Sequence, residues 1–168
     1  MPEEYDEPER SDNLDEPPPF FPYDDGAPIR IPGAMGELIE VSVEGVYAAE
    51  NNGNISRFVL VTDGERKLPI LIGAFEAQAI VSEHEAKRAE RPMTHDLIKK
   101  IMERADIALD RVVIDDFWNA VYYAKIYIRK GSEELEIDAR PSDSIALAMR
   151  FEAPIFVADG ILEAAMEE

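Results

Sequence analysis

Residues 133–149 read EELEIDARPSDSIALAM, and the fold turns on how this stretch is parsed. Leu135, Ile137 and Ala139 alternate with acids, the period of a strand running from Glu133 to Ala139. Pro141 lacks the N–H that a first helical residue leaves unused, so it opens a helix through Met149. Just upstream, Arg111 to Phe117 and Val121 to Arg129 carry the same strand character, which gives the order strand, strand, strand, helix.

That order occurs earlier as well. Glu37 to Ala48 reads as a strand anchored by Leu38, Val41, Val43 and Val46, and Asn51-Asn52-Gly53-Asn54 supplies turn chemistry. Ile55 to Thr62 and Lys67 to Ile72 follow as strands, folded back on each other by a two-residue Asp63-Gly64 turn. Phe75 to Arg88 reads as a helix with Phe75, Ala79 and Ile80 toward the core. A gapless shift of 67 residues lays Val46 on Val113, Asn52 on Asn119, Gly64 on Gly131, Leu68 on Leu135, Ile70 on Ile137 and Ala79 on Ala146. The expectation is a diverged tandem duplication, with two sheets related by an approximate twofold. Between the halves, Thr94 to Ala105 forms a helix with Thr94 as N-cap and Asp96 in the first turn. Ile155 to Ala158 adds a strand and Gly160 to Met166 a last helix. The fold class is α+β, with a mixed, largely antiparallel sheet, over residues 34–168.

Composition narrows the function. The 168 residues carry 17 Lys+Arg against 36 Asp+Glu, a formal charge of −19, which excludes a basic, histone-like binder. Residues 1–33 hold eight of the twelve prolines and ten acids against two bases, with no periodicity; they read as a disordered acidic tail. Within it, Pro17-Pro18-Pro19-Phe20-Phe21-Pro22 favours polyproline II and suits either a docking peptide for a protein partner or a solubilising tail. From residue 34 onward 15 bases face 26 acids, so the domain is acidic in its own right. There is no Cys, hence no disulfide, thiolate nucleophile or Cys-bound zinc. The acidic N-terminus lacks the basic character of a signal or transit peptide, and no run of eighteen apolar residues occurs. A soluble cytoplasmic protein with no membrane contact is expected.

Three stretches set polar residues among apolar ones: Leu68 to Ile80 (LPILIGAFEAQAI), Arg91 to Ile98 (RPMTHDLI) and Ile137 to Ala148 (IDARPSDSIALA). Together, in this order, they resemble the bifunctional nuclease domain family, also called the DNase-RNase domain. The resemblance covers roughly Glu37 to Met166, and Ala153-Pro154-Ile155-Phe156-Val157 adds to it. It implies a compact α+β domain, a homodimer, and cleavage of both RNA and DNA.

Phosphodiester hydrolysis is helped by a hard cation that generates hydroxide and neutralises phosphoryl oxygens, and oxygen ligands suit Mg²⁺ or Mn²⁺. Glu76, Asp138 and Asp143 are the candidate metal ligands. Glu76 and Asp143 fall in the first turns of the two equivalent helices and coincide under the 67-residue shift, so two halves would offer one acid each to a shared ion. His95 is the candidate general base or acid beside them, completing a catalytic set of His95, Glu76 and Asp143, and Arg140 the clamp on substrate phosphate. The plainer roles are helix-start stabilisation for the acids and an ordinary Asp138–Arg140 salt bridge. They belong to the alternative of a non-catalytic interaction or regulatory module.

Tyr123, Lys125, Tyr127 and Arg129 alternate onto one strand face, the form of a stacking platform for nucleic acid. A Lys130-Gly131 turn would set Tyr127 against Glu134, Lys125 against Glu136 and Tyr123 against Asp138, cancelling that charge. Ile126 with Leu135 and Ala124 with Ile137 would then line the buried face. His84 reads as exposed. No phosphate-cradling Gly-rich loop, Gly-x-Ser-x-Gly elbow or His-Glu-x-x-His helix is present.

Overall fold

The computed structural model describes residues 36–87, 89–118 and 120–166, so the proline-rich segment 1–33 lies outside the described residues. In chain order the elements are β1 (Leu38–Asn51), β2 (Asn54–Thr62), β3 (Lys67–Ile72), α1 (Ala74–His84), α2 (Thr94–Arg104), β4 (Ala108–Trp118), β5 (Val121–Lys130), β6 (Glu133–Ala139), α3 (Pro141–Phe151), β7 (Ile155–Ala158) and α4 (Asp159–Ala164). The strands form one sheet of seven in the order β3-β2-β1-β7-β4-β5-β6. Every neighbouring pair is antiparallel except β7 with β4, so the fold is α+β with a mixed, mostly antiparallel sheet.

One sheet replaces the two that were expected. The short β7 pairs antiparallel with β1 and parallel with β4, and thereby welds the halves together. Each half keeps the strand, strand, strand, helix order, and the outer hairpins share one register: Val59 opposes Ile70, and Ile126 opposes Ile137.

Both hairpin turns differ from the sequence expectation. Thr62 pairs with Lys67 around a four-residue loop, in which the Asp63 carboxylate accepts from the Glu65 and Arg66 N–H groups at 2.9 and 2.7 Å. Lys130 pairs with Glu133 around Gly131-Ser132, with Gly131 at φ 60°. The register therefore slips by two from the expected one: Tyr127 opposes Glu136, Lys125 opposes Asp138, and Ile126 opposes Ile137. An even slip keeps every side chain on its expected face. In β1 the register shifts between Val43 and Gly45, a bulge that moves the inward phase from Val41 and Val43 to Val46. Leu38 falls off this face and is exposed, so it is no anchor.

The core lies between the sheet and the helices. Val59, Val61, Leu68, Val112 and Ile114 from the strands meet Ile80 and Ile145 from the helices with no exposed area. Burying each large side chain contributes about 1.5–3 kcal/mol. Helix α1 packs on α3 and over β1 and β2, while α3 packs on α2 and over β4 and β5. Leu135 and Ile137, expected in the core, are 51% and 41% exposed because β6 is an edge strand beyond this cover. Phe75 is likewise 84% exposed: α1 begins at Ala74 and turns Ala77, Ala79 and Ile80 inward instead.

Three helices close in a common way. Ala86, Asp106 and Glu152 adopt left-handed φ values of 53°, 56° and 54° just past α1, α2 and α3. The next amides return to earlier carbonyls, Lys87 to Ser82 at 2.8 Å, Ile107 to Met102 at 2.9 Å and Ala153 to Ala148 at 2.9 Å. This is the Schellman closure, made three times without the glycine that usually announces it. It stops α1 at His84, short of the expected Arg88. At the start of α2 the N-cap is Met93 and not Thr94, and the Asp96 carboxylate accepts the Met93 N–H at 2.8 Å.

Seven strands laid flat would hold the edges β3 and β6 about 29 Å apart. Yet the segments that leave these two edges, Gly73 to Glu76 and Arg140, meet through a 3.0 Å ion pair. The sheet therefore curls around α1 and α3, bringing the ends of its two edge strands together.

Candidate functional site

Three helices begin alike. The N-cap and the acid three residues on are Gly73 and Glu76 in α1, Met93 and Asp96 in α2, and Arg140 and Asp143 in α3. A carboxylate in the first turn faces the helix's unpaired N–H groups and the positive end of its dipole. Because β3 and β6 deliver α1 and α3 to the same place, two of these acids converge.

They converge on a cation supplied by the chain itself. Arg140 Nη1 lies 3.0 Å from Glu76 Oε1, and Arg140 Nε donates to Asp143 Oδ2 at 2.7 Å. The other Asp143 oxygen, Oδ1, is 2.9 Å from His95 Nε2. The series runs from open to enclosed: the side chain of Arg140 is 65% exposed, Asp143 30%, Glu76 20% and His95 11%. Burial pushes the Asp143 carboxyl up, but the hydrogen bonds from Arg140 and His95 together outweigh it and hold the group below the usual carboxylate range. An ionised carboxylate only accepts, so His95 Nε2 carries the proton and donates it to Asp143.

Gly73 makes room for this arrangement. A Cβ built on it would stand 2.3 Å from Glu76 Oε2, so the bare backbone is what lets the carboxylate fold back over the N-cap. In α3 the equivalent N-cap is Arg140, whose long side chain bridges both acids. Beside the cluster is a cavity of about 300 Å³, lined by Glu76 and Arg140 and walled by Ile70, Leu71, Val121, Tyr122 and Pro141. The Tyr122 ring packs on Phe117, centroids 4.4 Å apart.

Of the residues singled out in the sequence, Glu76, Arg140, Asp143 and His95 come together and Asp138 does not. Asp138 sits opposite Lys125 in the β5–β6 ladder and, by strand alternation, faces away from the helices. Among the described residues it forms no salt bridge with Arg140, which turns to Glu76 and Asp143 instead. Nor do three or more Asp, Glu or His side chains gather among the described residues in a set able to hold a metal ion. The Tyr123–Arg129 stripe is neutralised. Lys125 pairs with Asp115 at 2.9 Å and Glu136 at 3.6 Å, Arg129 pairs with Asp110, and Arg111 pairs with Glu134 at 2.9 Å while stacking on Tyr127.

Arg150, absent from the sequence reading, supports the site from behind. Only 5% exposed, it donates from Nε to Asp96 at 2.6 Å and from Nη1 to the Ala79 and Ala146 carbonyls at 3.1 and 2.9 Å. One guanidinium thus ties α1, α2 and α3 together and sets His95, next to Asp96, against Asp143. Nothing local marks an Arg in a helix's last turn as buried.

Fold and site together define a class: an α+β domain whose two edge strands lead into helix starts joined by a carboxylate–guanidinium–carboxylate cluster. The chain belongs to the bifunctional nuclease domain family, whose profile matches residues 58–168 and so takes in all four clustered residues. It is 34% identical over 123 residues to an uncharacterized protein of Mycobacterium tuberculosis, covering 73% of each chain. It is 31% identical over 93 residues to bifunctional nuclease 1 of Oryza sativa subsp. japonica, a match that spans 54% of this chain and 28% of the rice protein. No helix among the described residues is long and apolar enough to cross a membrane.

Proposed function

We propose that this chain is a nuclease that hydrolyses phosphodiester bonds of RNA and DNA with low sequence selectivity. The observation that carries this reading is Arg140, gripped by Glu76 and Asp143 yet 65% exposed, in a chain of this family. A guanidinium has five N–H donors, and the two ion pairs use two of them. The others suit the oxygens of a phosphoryl group, which every sequence shares. Glu76 lines the same cavity and is the base that takes a proton from the attacking water, while the departing oxygen is protonated from solvent. Asp143 orients Arg140. His95, more enclosed than either, acts through Asp143 as a positioning residue.

Mg²⁺ or Mn²⁺ would supply hydroxide and charge neutralisation in such a reaction. The residues present do not fit either ion: two of the three candidate carboxylates already share one guanidinium, and Asp138 faces elsewhere. Arg140 is the cation of this mechanism. A second reading, a non-catalytic interaction or regulatory module, is favoured by the closure of the cluster, in which each charged group has a partner within the chain.

The test is cleavage of single- and double-stranded RNA and DNA by the purified chain in EDTA and in Mg²⁺ or Mn²⁺. The expected result is turnover that persists in EDTA and drops by roughly 100-fold in Glu76→Gln and in Arg140→Gln. Equal cleavage by those variants would assign the activity to a contaminant and leave the interaction module. Activity abolished by EDTA and restored by Mn²⁺ would return a metal to the site and require Arg140 to leave the acids.

A further inference from the structure

We infer that the cavity between the end of β3 and the start of β5 is a subsite for one unstacked nucleobase, so that this chain acts on single strands in preference to duplex; the inference rests on the nuclease reading for its phosphate, placed on Arg140. Its walls are apolar, with Leu71 and Val121 exposed to 74% and 53% at its mouth. Exposed apolar side chains gathered at a cavity that also holds a cation and a carboxylate suit an amphipathic ligand: a flat ring joined to a phosphate.

Charge selects the same ligand. Proteins usually hold nucleic acid by releasing counter-ions with Lys and Arg, but this chain carries −19 and its basic stripe is paired off by Asp110, Asp115 and Glu136. Apolar contact adds affinity that the paired stripe does not supply. A single strand offers that contact by splaying out a base, and it brings half the phosphate charge of a duplex toward the acidic surface. A cavity of about 300 Å³ lies at the lower end for small-ligand sites and has room for a base. In a duplex the base must first be unstacked and unpaired, at a cost in affinity.

The experiment uses the full chain and a DNA oligonucleotide in three forms: single-stranded with one 2-aminopurine, single-stranded with an abasic residue at that position, and the first form annealed to its complement. Binding should change the 2-aminopurine fluorescence. The abasic strand should show a KM on the order of 10-fold higher with kcat little altered. Val121→Ser should raise the KM of the intact strand to a similar degree and alter that of the abasic strand much less. Leu71→Ser, at another surface position, provides a second variant should the first not fold. Equal KM for the intact and abasic strands, or a duplex cleaved as well as the single strand, would overturn the inference while leaving the nuclease reading intact. Fluorescence that responds without any cleavage would keep the subsite and overturn the nuclease reading. Neither binding nor cleavage would end both.

Discussion

Gly73 has no side chain, and the Glu76 carboxylate occupies the space one would take. Its φ of −77° is open to any residue, so the requirement comes from close approach and not from backbone freedom. In Gly73→Ala the obstacle is the end of a flexible side chain, which can swing aside cheaply. We expect stability to stay within about 1 kcal/mol of the native chain, since surface substitutions away from special features seldom exceed this. Cleavage should nonetheless fall on the order of 10-fold, because Glu76 is turned off Arg140 and out of its reactive position. Urea unfolding and kcat/KM on one single-stranded substrate, measured together, check this; a variant that loses stability and keeps its rate would contradict it. The candidate acids were readable in sequence as first-turn carboxylates, whereas the need for Gly73 was not, because the atom it avoids belongs to a rotamer.

At the scale of elements, the strands were legible and so was the span of α2 to within a residue, whereas the end of α1 was not. Strand character survives in the alternation of Ile70 with Ile72 and of Ile126 with Ile128, which a two-residue register slip leaves on the same face. The ends of α1, α2 and α3 carry Ala86, Asp106 and Glu152 in a conformation that glycine would announce, so composition pointed the other way. That departure is testable. A non-glycine residue in the left-handed region costs about 1–2 kcal/mol, partly offset by glycine's larger entropy in the unfolded chain. Glu152→Gly is therefore expected to stabilise the protein by roughly 0.5–1 kcal/mol, visible as a higher urea midpoint with an unchanged m-value. An unaltered or lower midpoint would mean that this residue contributes something beyond the cap.

For the whole molecule, charge and fold pull stability in opposite directions. Asp63 is held at about 2, chiefly by the Arg66 and Glu65 N–H groups; Asp96 and Asp143 are also held below the usual range, hydrogen bonds overcoming burial in both. A depressed carboxyl favours the folded state above its unfolded value near 4 and loses that contribution as pH falls through the folded value. Unfolding midpoints should thus hold steady from pH 7 to about 5 and fall steeply between about 4 and 2. At pH 7, by contrast, the −19 charge repels itself, so added salt should raise the midpoint. A midpoint that rises on acidification to pH 3 would show self-repulsion outweighing these three carboxylates. The amino-acid sequence by itself determined the α+β class, the order of strands and helices, the acidic character and the first-turn acids, since each follows from local period, composition or the chemistry of a helix start. Only the tertiary structure decided that the halves share one curled sheet, that Leu135, Ile137 and Phe75 stay outside the core, and that Glu76 and Asp143 meet across Arg140 while Asp138 faces away. Those outcomes depend on which edges β7 joins and how far the sheet bends, and both are set by contacts between residues far apart in the chain.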